Sequence, residues 1–333
     1  MKKLLSLLII LCISSGVFAK KVKFAVNMGT NTISPNGIHV IGDFQVIAGF
    51  GTSDWDPGTT SLTQEGSSTI YSIIVNIPAF NKYEYKFVNG NQTYEAEFVP
   101  EEARVGYNFN DNRWLYVDSL ANDTTFVGAI MFGGNAPFGK SLIRYKVDMS
   151  GVLPVSANGT HVGASYQNFN PATVFMYSFG NDVYEIINYV TNGTYQFKFY
   201  NGNTIGNSET VPGSCATSGN RSIIVTKDTV MPEICFSSCA VCALGVGVKE
   251  NSSSALSLKM YPNPAKNVVT LNSKIKGIYA IVVFDAKGKQ VMLVKNVETE
   301  TTQLNIQDLN AGIYFVRLVG KNNQTTIQKL VVD

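Results

Sequence analysis

The phrase YEYKFVNG at Tyr83 to Gly90 returns 112 residues later, little changed, as YQFKFYNG at Tyr195 to Gly202. Its neighbours return in the same order. VKFAVNM (Val22 to Met28) matches IRYKVDM (Ile143 to Met149), and NGIHV (Asn36 to Val40) matches NGTHV (Asn158 to Val162). Beyond the phrase, EFVP (Glu97 to Pro100) matches ETVP (Glu209 to Pro212), and Asn112-Arg113 matches Asn220-Arg221. From Asn89 to Glu97 and from Asn201 to Glu209 the interval is 8 residues in both copies. Similarity that keeps both order and spacing points to tandem domains of one fold.

Each copy alternates apolar and polar residues in short runs. Tyr83, Tyr85 and Phe87 fall on one side of a strand, while Glu84, Lys86 and Val88 fall on the other. Gly, Asn and Pro punctuate the runs, the pattern of short strands joined by turns. The expectation is an all-β chain of tandem Ig-like β-sandwiches, at 20–140 and 141–244, with a further small β-sandwich at 258–333. A Ser- and Gly-containing stretch at 245–257 reads as a linker. The first copy alone carries VIAGFGTSDWDPGT, Val46 to Thr59, with Trp55 near its end. Differences between similar domains fall in loops, and loops carry function.

The N-terminus MKKLLSLLIILCISSGVFA reads as a secretory signal peptide over 1–19: a basic start, an apolar run and small residues before a cut after Ala19. The run is too short for a membrane span, so an integral membrane protein is not expected. Removing Lys2 and Lys3 brings the formal charge from +2 to zero, which gives no reason to bind nucleic acid. Cys12 leaves with this segment. Cys215, Cys235, Cys239 and Cys242 remain, an even number in an exported chain, and disulfides are expected. Cys215–Cys235 with Cys239–Cys242 is the preferred pairing of three. Zinc is the alternative, against which C-x3-C-x2-C fits poorly, so no metal or cofactor is expected.

The segment GIHVIGDF…SDWDPGTTSLTQEGSSTIYSIIVNIPAFNKYEYKFVNGNQTYEAE resembles the starch-binding modules of amylases and glucoamylases, the family 20 carbohydrate-binding modules. That resemblance implies an open-sided Ig-like sandwich. It also implies a sugar site with Trp55 as first stacking platform, Lys86 as a donor to hydroxyls, Tyr94 as second platform and Glu95 as a polar contact. Tyr94 stands where the family has Trp. The second copy lacks the aromatic there, so binding is expected of the first only. Flat aromatic faces suit the C–H face of a sugar ring, with a few polar groups fixing its orientation.

At the C-terminus, YPNPAKNVVTLN (Tyr261 to Asn272), the DAKGK hairpin, LNAGIYFVRL (Leu309 to Leu318) and KLVV (Lys329 to Val332) closely resemble the type A C-terminal sorting domain of the type IX secretion system. The motif residues are Tyr261, Pro262, Asn263, Pro264, Gly312 and Lys329. The resemblance implies a Gram-negative source, passage through that machinery to the cell surface or medium, and removal of the sorting domain.

The chain has 2 histidines, His39 and His161, at equivalent places in the two copies. Neither stands in a nucleophile or metal motif, so both read as fold residues. An enzyme is not expected. The leading expectation is a non-catalytic glycan-binding protein, an α-glucan first; the alternative is a structural or adhesive surface protein whose sandwiches are spacers.

Overall fold

The computed structural model describes residues 19–105, 111–118, 124–180, 182–242, 258–273, 278–286, 288–295, 297, 301–320 and 325–333. Most of the expected signal segment and the expected linker lie outside these. Among the described residues helix is confined to single 3-10 turns such as Thr93–Glu95, and the fold is all-β.

In the first sandwich one sheet runs in the order Thr63–Gln64, Ile70–Pro78, Ala19–Asn27, Thr124–Met131. The facing sheet is Ile38–Gly42, Asn81–Asn89, Arg113–Val117. The alternation in the repeated phrase decides its inner face. Tyr83, Tyr85 and Phe87 are buried with Val22, Phe24 and Val26 from the opposite sheet. Phe24 stacks on Phe44 at 4.7 Å and meets the edge of Tyr85 at 4.9 Å. In the second sandwich Phe197 and Phe199 sit likewise in a core with Tyr145, Val147 and Val162. In both, an early strand pairs parallel with a late one: Ala19–Asn27 with Thr124–Met131, and Ser141–Asp148 with Thr229–Val230 and Ile234–Cys235.

The phrase ends in glycine for a steric reason. Gly90 has φ +142°, and a Cβ there would lie 2.1 Å from the Glu95 carboxylate. Gly202 has φ +128°, with the Asn207 side chain 2.8 Å from the same point. Gly90→Ala is expected to cost the first sandwich about 1–3 kcal/mol, the usual scale of a forced backbone outlier, read as a lower urea midpoint.

The repeated Glu and Arg form a buried ion pair in each sandwich. Arg113 Nε and Nη2 donate to the two oxygens of Glu97 at 2.8 and 2.7 Å. Glu97 also accepts the backbone N–H of Phe87 at 3.0 Å and of Gly133 at 2.9 Å, and Arg113 donates to the Gly134 carbonyl. The second sandwich repeats each contact: Arg221 to Glu209 at 2.8 and 2.6 Å, Phe199 N–H and Ser237 N–H to Glu209, and Arg221 to the Ser238 carbonyl. The pair ties the phrase strand to the segment that leaves the sandwich. A bidentate, fully hydrogen-bonded geometry is what lets two charges sit in a core.

Trp114 and Tyr116, in the strand Arg113–Val117, pack across to the second sandwich. Tyr116 stacks on Phe175 at 5.0 Å and lies 5.3 Å from Tyr177, and Trp114 meets the edge of Phe179 at 4.9 Å.

The C-terminal sandwich has sheets Leu258–Tyr261, Val268–Ser273, Thr301–Asn305 and Gln290–Lys295, Ile278–Asp285, Gly312–Gly320, Thr325–Val332. Ile281, Val283, Val316 and Leu318 point into its own core. Their strand neighbours Val282, Phe284 and Phe315 point the other way, and pack with Ile327 against Phe98 of the first sandwich. This sheet is therefore buried on both faces.

Candidate functional site

The Trp55 loop is built around a buried amide. Gln45, with no exposed surface, donates from Nε2 to the Asp56 carbonyl at 2.8 Å and to the hydroxyls of Thr59 and Thr60, while its Oε1 accepts the Asp56 N–H at 3.0 Å. Asp54 accepts the Val46 N–H at 2.8 Å across the same loop. Held between these anchors, Trp55 adopts φ +62°. Its half-buried ring rests on Ile41, Val88 and Ala96, on the outer face of the sheet that carries the repeated phrase. A bulky side chain in the left-handed region is a costly arrangement that the surroundings must hold in place.

Tyr94 and Glu95 occupy the single turn after the phrase. Glu95 Oε2 accepts the N–H groups of Asn91 and Gln92, both at 2.9 Å, and so closes the turn. Tyr94 packs with Phe98 and the outer face of the C-terminal sandwich, whereas Trp55 belongs to the cluster of Ile41, Val88 and Ala96. The Lys295 ammonium lies 4.2 Å from the Tyr94 ring centre and donates to its hydroxyl at 2.8 Å.

Lys86 departs most from a solvated outer-face residue. Only 4% exposed, it pairs with Asp111, itself wholly buried. Arg317 of the C-terminal sandwich completes the cluster. Its guanidinium reaches Asp111 at 3.4 Å and donates to the carbonyls of Ala96 at 2.8 Å, Glu97 at 3.1 Å and Tyr94 at 3.5 Å. Burial, with Arg317 beside it, pushes the Lys86 ammonium down to about 8, against the pull of Asp111. Burial alone would raise the Asp111 carboxyl, but Lys86 and Arg317 hold it below the usual carboxylate range. The outer face of the phrase is thus covered by the 94–98 ledge, Asp111 and Arg317 rather than by water.

Two clefts of about 400 Å³ each flank this region. One lies between the ledge and the C-terminal sandwich, lined by Asn31, Asn89, Tyr94, Glu95, Lys289 and Gln290. The other lies where the sandwiches meet, lined by Trp114, Tyr116, Phe175 and Asn188; there Tyr116 stacks on Phe175, and Trp114 meets Phe179 beside it. His39 is fixed by its fold contacts: Nδ1 lies 2.7 Å from the Gly90 carbonyl and Nε2 2.8 Å from the Ser61 hydroxyl.

The cysteines are joined as Cys215–Cys239 and Cys235–Cys242. This corrects the expected pairing of Cys215 with Cys235 and Cys239 with Cys242. Cys235 is pinned by its strand against Val147 and Asp148, while Glu209 draws Ser237 back toward the Pro212 turn, which brings Cys239 rather than Cys235 to Cys215.

In the C-terminal sandwich the Tyr-Pro-Asn-Pro motif acts through Asn263. Its Nδ2 donates to the Lys329 carbonyl and its Oδ1 accepts the Val331 N–H, both at 2.8 Å, stitching the motif to the last strand. Tyr261 is half exposed, and Gly312 opens the strand Gly312–Gly320.

Residues 259–333 match the secretion system C-terminal sorting domain, so the chain is type IX secretion cargo, delivered to the cell surface or the extracellular space of a member of the Bacteroidetes. Among the described residues no helix is long and apolar enough to cross a membrane. An endo-acting ulvan lyase of Formosa agariphila is 28% identical over 94 residues, which is 28% of this chain and 18% of that protein. The chain thus matches under a fifth of that relative's length. Among solved structures, a family 26 carbohydrate-binding module of Eubacterium rectale Amy13K in complex with maltoheptaose is similar at TM-score 0.22 and 10% identity, covering 63% of this chain and 90% of that one. SGBP-B of a Bacteroides ovatus mixed-linkage glucan utilization locus, in complex with a mixed-linkage heptasaccharide, is similar at TM-score 0.19 and 11% identity, covering 94% of this chain and 64% of that one.

Proposed function

We propose that the exported chain is a non-catalytic glycan-binding protein built from two copies of one module, and that the first copy takes an α-glucan by stacking on Trp55. The observation that carries this reading is the backbone of Trp55. A tryptophan at φ +62°, anchored through Gln45 and seated on Ile41, Val88 and Ala96, is held in a costly backbone conformation with its ring only half-buried. Tyr94 supplies the second aromatic face, Glu95 shapes the turn that carries it, and Lys86 lies beneath with Asp111. Isothermal titration of soluble starch and maltoheptaose into the full chain tests the reading. Saturable heat is expected, and Trp55→Ala is expected to weaken it by about 2 kcal/mol or more, the cost of removing a central aromatic anchor. Equal saturable heats for the two proteins would sink it.

A second reading, two sandwiches serving as a rigid spacer, is favoured by the Trp114 and Tyr116 packing on Phe175, Tyr177 and Phe179, which couples them.

A further inference from the structure

The ledge at 94–98 turns backbone carbonyls toward the C-terminal sandwich. The carbonyls of Tyr94, Ala96 and Glu97 and the carboxylate of Asp111 converge on one point, and a single guanidinium fills it. Arg317 is 1% exposed there, although its strand neighbours Val316 and Leu318 belong to the core of its own sandwich. Around it Phe98 lies 5.1 Å from Phe284 and 5.0 Å from Phe315. At the rim Lys295 covers the ring of Tyr94. A central, fully desolvated arginine surrounded by contacts that exclude water is the arrangement of an interface hot spot.

We propose that this ledge is the docking surface for the chain's own sorting domain, and that the docked domain covers the sugar site. The exclusion of sugar rests on the glycan reading above; the docking does not. One set of atoms serves both purposes. While Arg317 holds Asp111 and the carbonyls, Lys86 is sealed beneath, and while Lys295 lies on Tyr94, no sugar ring can stack there. Two occupants that exclude each other are coupled, and the affinity of the site falls by the fraction of molecules that are open. A chain that still carries its sorting domain would bind glycan weakly, and one whose sorting domain has let go would bind at full strength.

The test uses the full chain. Arg317→Glu puts a carboxylate against Asp111 and three carbonyls and forces the domain off. Phe98→Ser loosens the same contact without touching the sorting domain. Hydroxyl-radical footprinting reads side-chain access directly. Oxidation of Phe98, Phe284 and Phe315 is expected to rise several-fold in Arg317→Glu, and that of Phe284 and Phe315 in Phe98→Ser, while Ile281, Val283 and Leu318 stay protected and show the sorting domain still folded. Maltoheptaose titration of the same proteins should show affinity about tenfold or more higher in the variants if fewer than a tenth of wild-type molecules are open. Unchanged oxidation in both variants would overturn the docking. Uncovered phenylalanines with affinity equal to wild type would overturn the exclusion. Uncovered phenylalanines with no sugar heat in any protein would support the docking and refute the glycan reading instead.

Discussion

Truncating Arg113 to alanine is expected to cost the first sandwich about 3–5 kcal/mol, enough to leave it largely unfolded at 37 °C, because Glu97 would remain buried with its charge unpaired. Glu97 sits 1% exposed, holding Phe87 on one side and Gly133 on the other, so its loss of a partner propagates into the phrase strand and the chain exit together. Arg221→Ala should do the same to the second sandwich through Glu209. The apolar double change Glu97→Leu with Arg113→Met should cost far less, since it removes both charges at once. Urea unfolding followed by tryptophan fluorescence separates the cases, because both tryptophans, Trp55 and Trp114, belong to the first sandwich. Equal midpoints for Arg113→Ala and wild type would refute the burial argument.

Replacing Cys215 and Cys239 by serine is expected to destabilise the second sandwich by about 3 kcal/mol, from the chain entropy released when a loop of that length opens. The bridge spans 24 residues, and Cys235–Cys242 spans 7, so removing the shorter one should cost about 1 kcal/mol less. The bridges interlock along the chain, since Cys235 lies inside the larger loop and Cys242 outside it. Differential scanning calorimetry of the two double variants ranks them, and a larger loss for the shorter loop would contradict the ordering.

Much of the inner fold is readable from residue types. The alternation of Tyr83, Tyr85 and Phe87 fixes the face that joins the core, and the Gly after each turn Asn answers a positive φ. The outer face is not readable in the same way. Lys86 alternates as a surface residue does, yet chain from 94–98, Asp111 and a domain some 230 residues away close over it. One local signal did exist. Ala280 to Phe284 is an unbroken apolar run, the mark of a strand buried on both sides, and it implies that the sorting domain has a partner. Gln45 carries no such signal, because its role depends on a loop that folds back from Asp56 to Thr60. The disulfide pairing is likewise set by tertiary anchors, the strand at Cys235 and the hold of Glu209 on Ser237, and not by spacing.

The parallel pairing of early and late strands has a mechanical meaning for a protein presented outside the cell. When a chain is pulled from its two ends, a hairpin unzips one hydrogen bond at a time, whereas strands that run parallel must slide past each other and break their bonds together. Ala19–Asn27 with Thr124–Met131, and Ser141–Asp148 with Thr229–Val230, meet tension in that sliding geometry. The Glu97–Arg113 and Glu209–Arg221 pairs grip the backbone at Gly133, Gly134, Ser237 and Ser238, near where load leaves each sandwich. Each sandwich is therefore built to resist tension applied between its two ends.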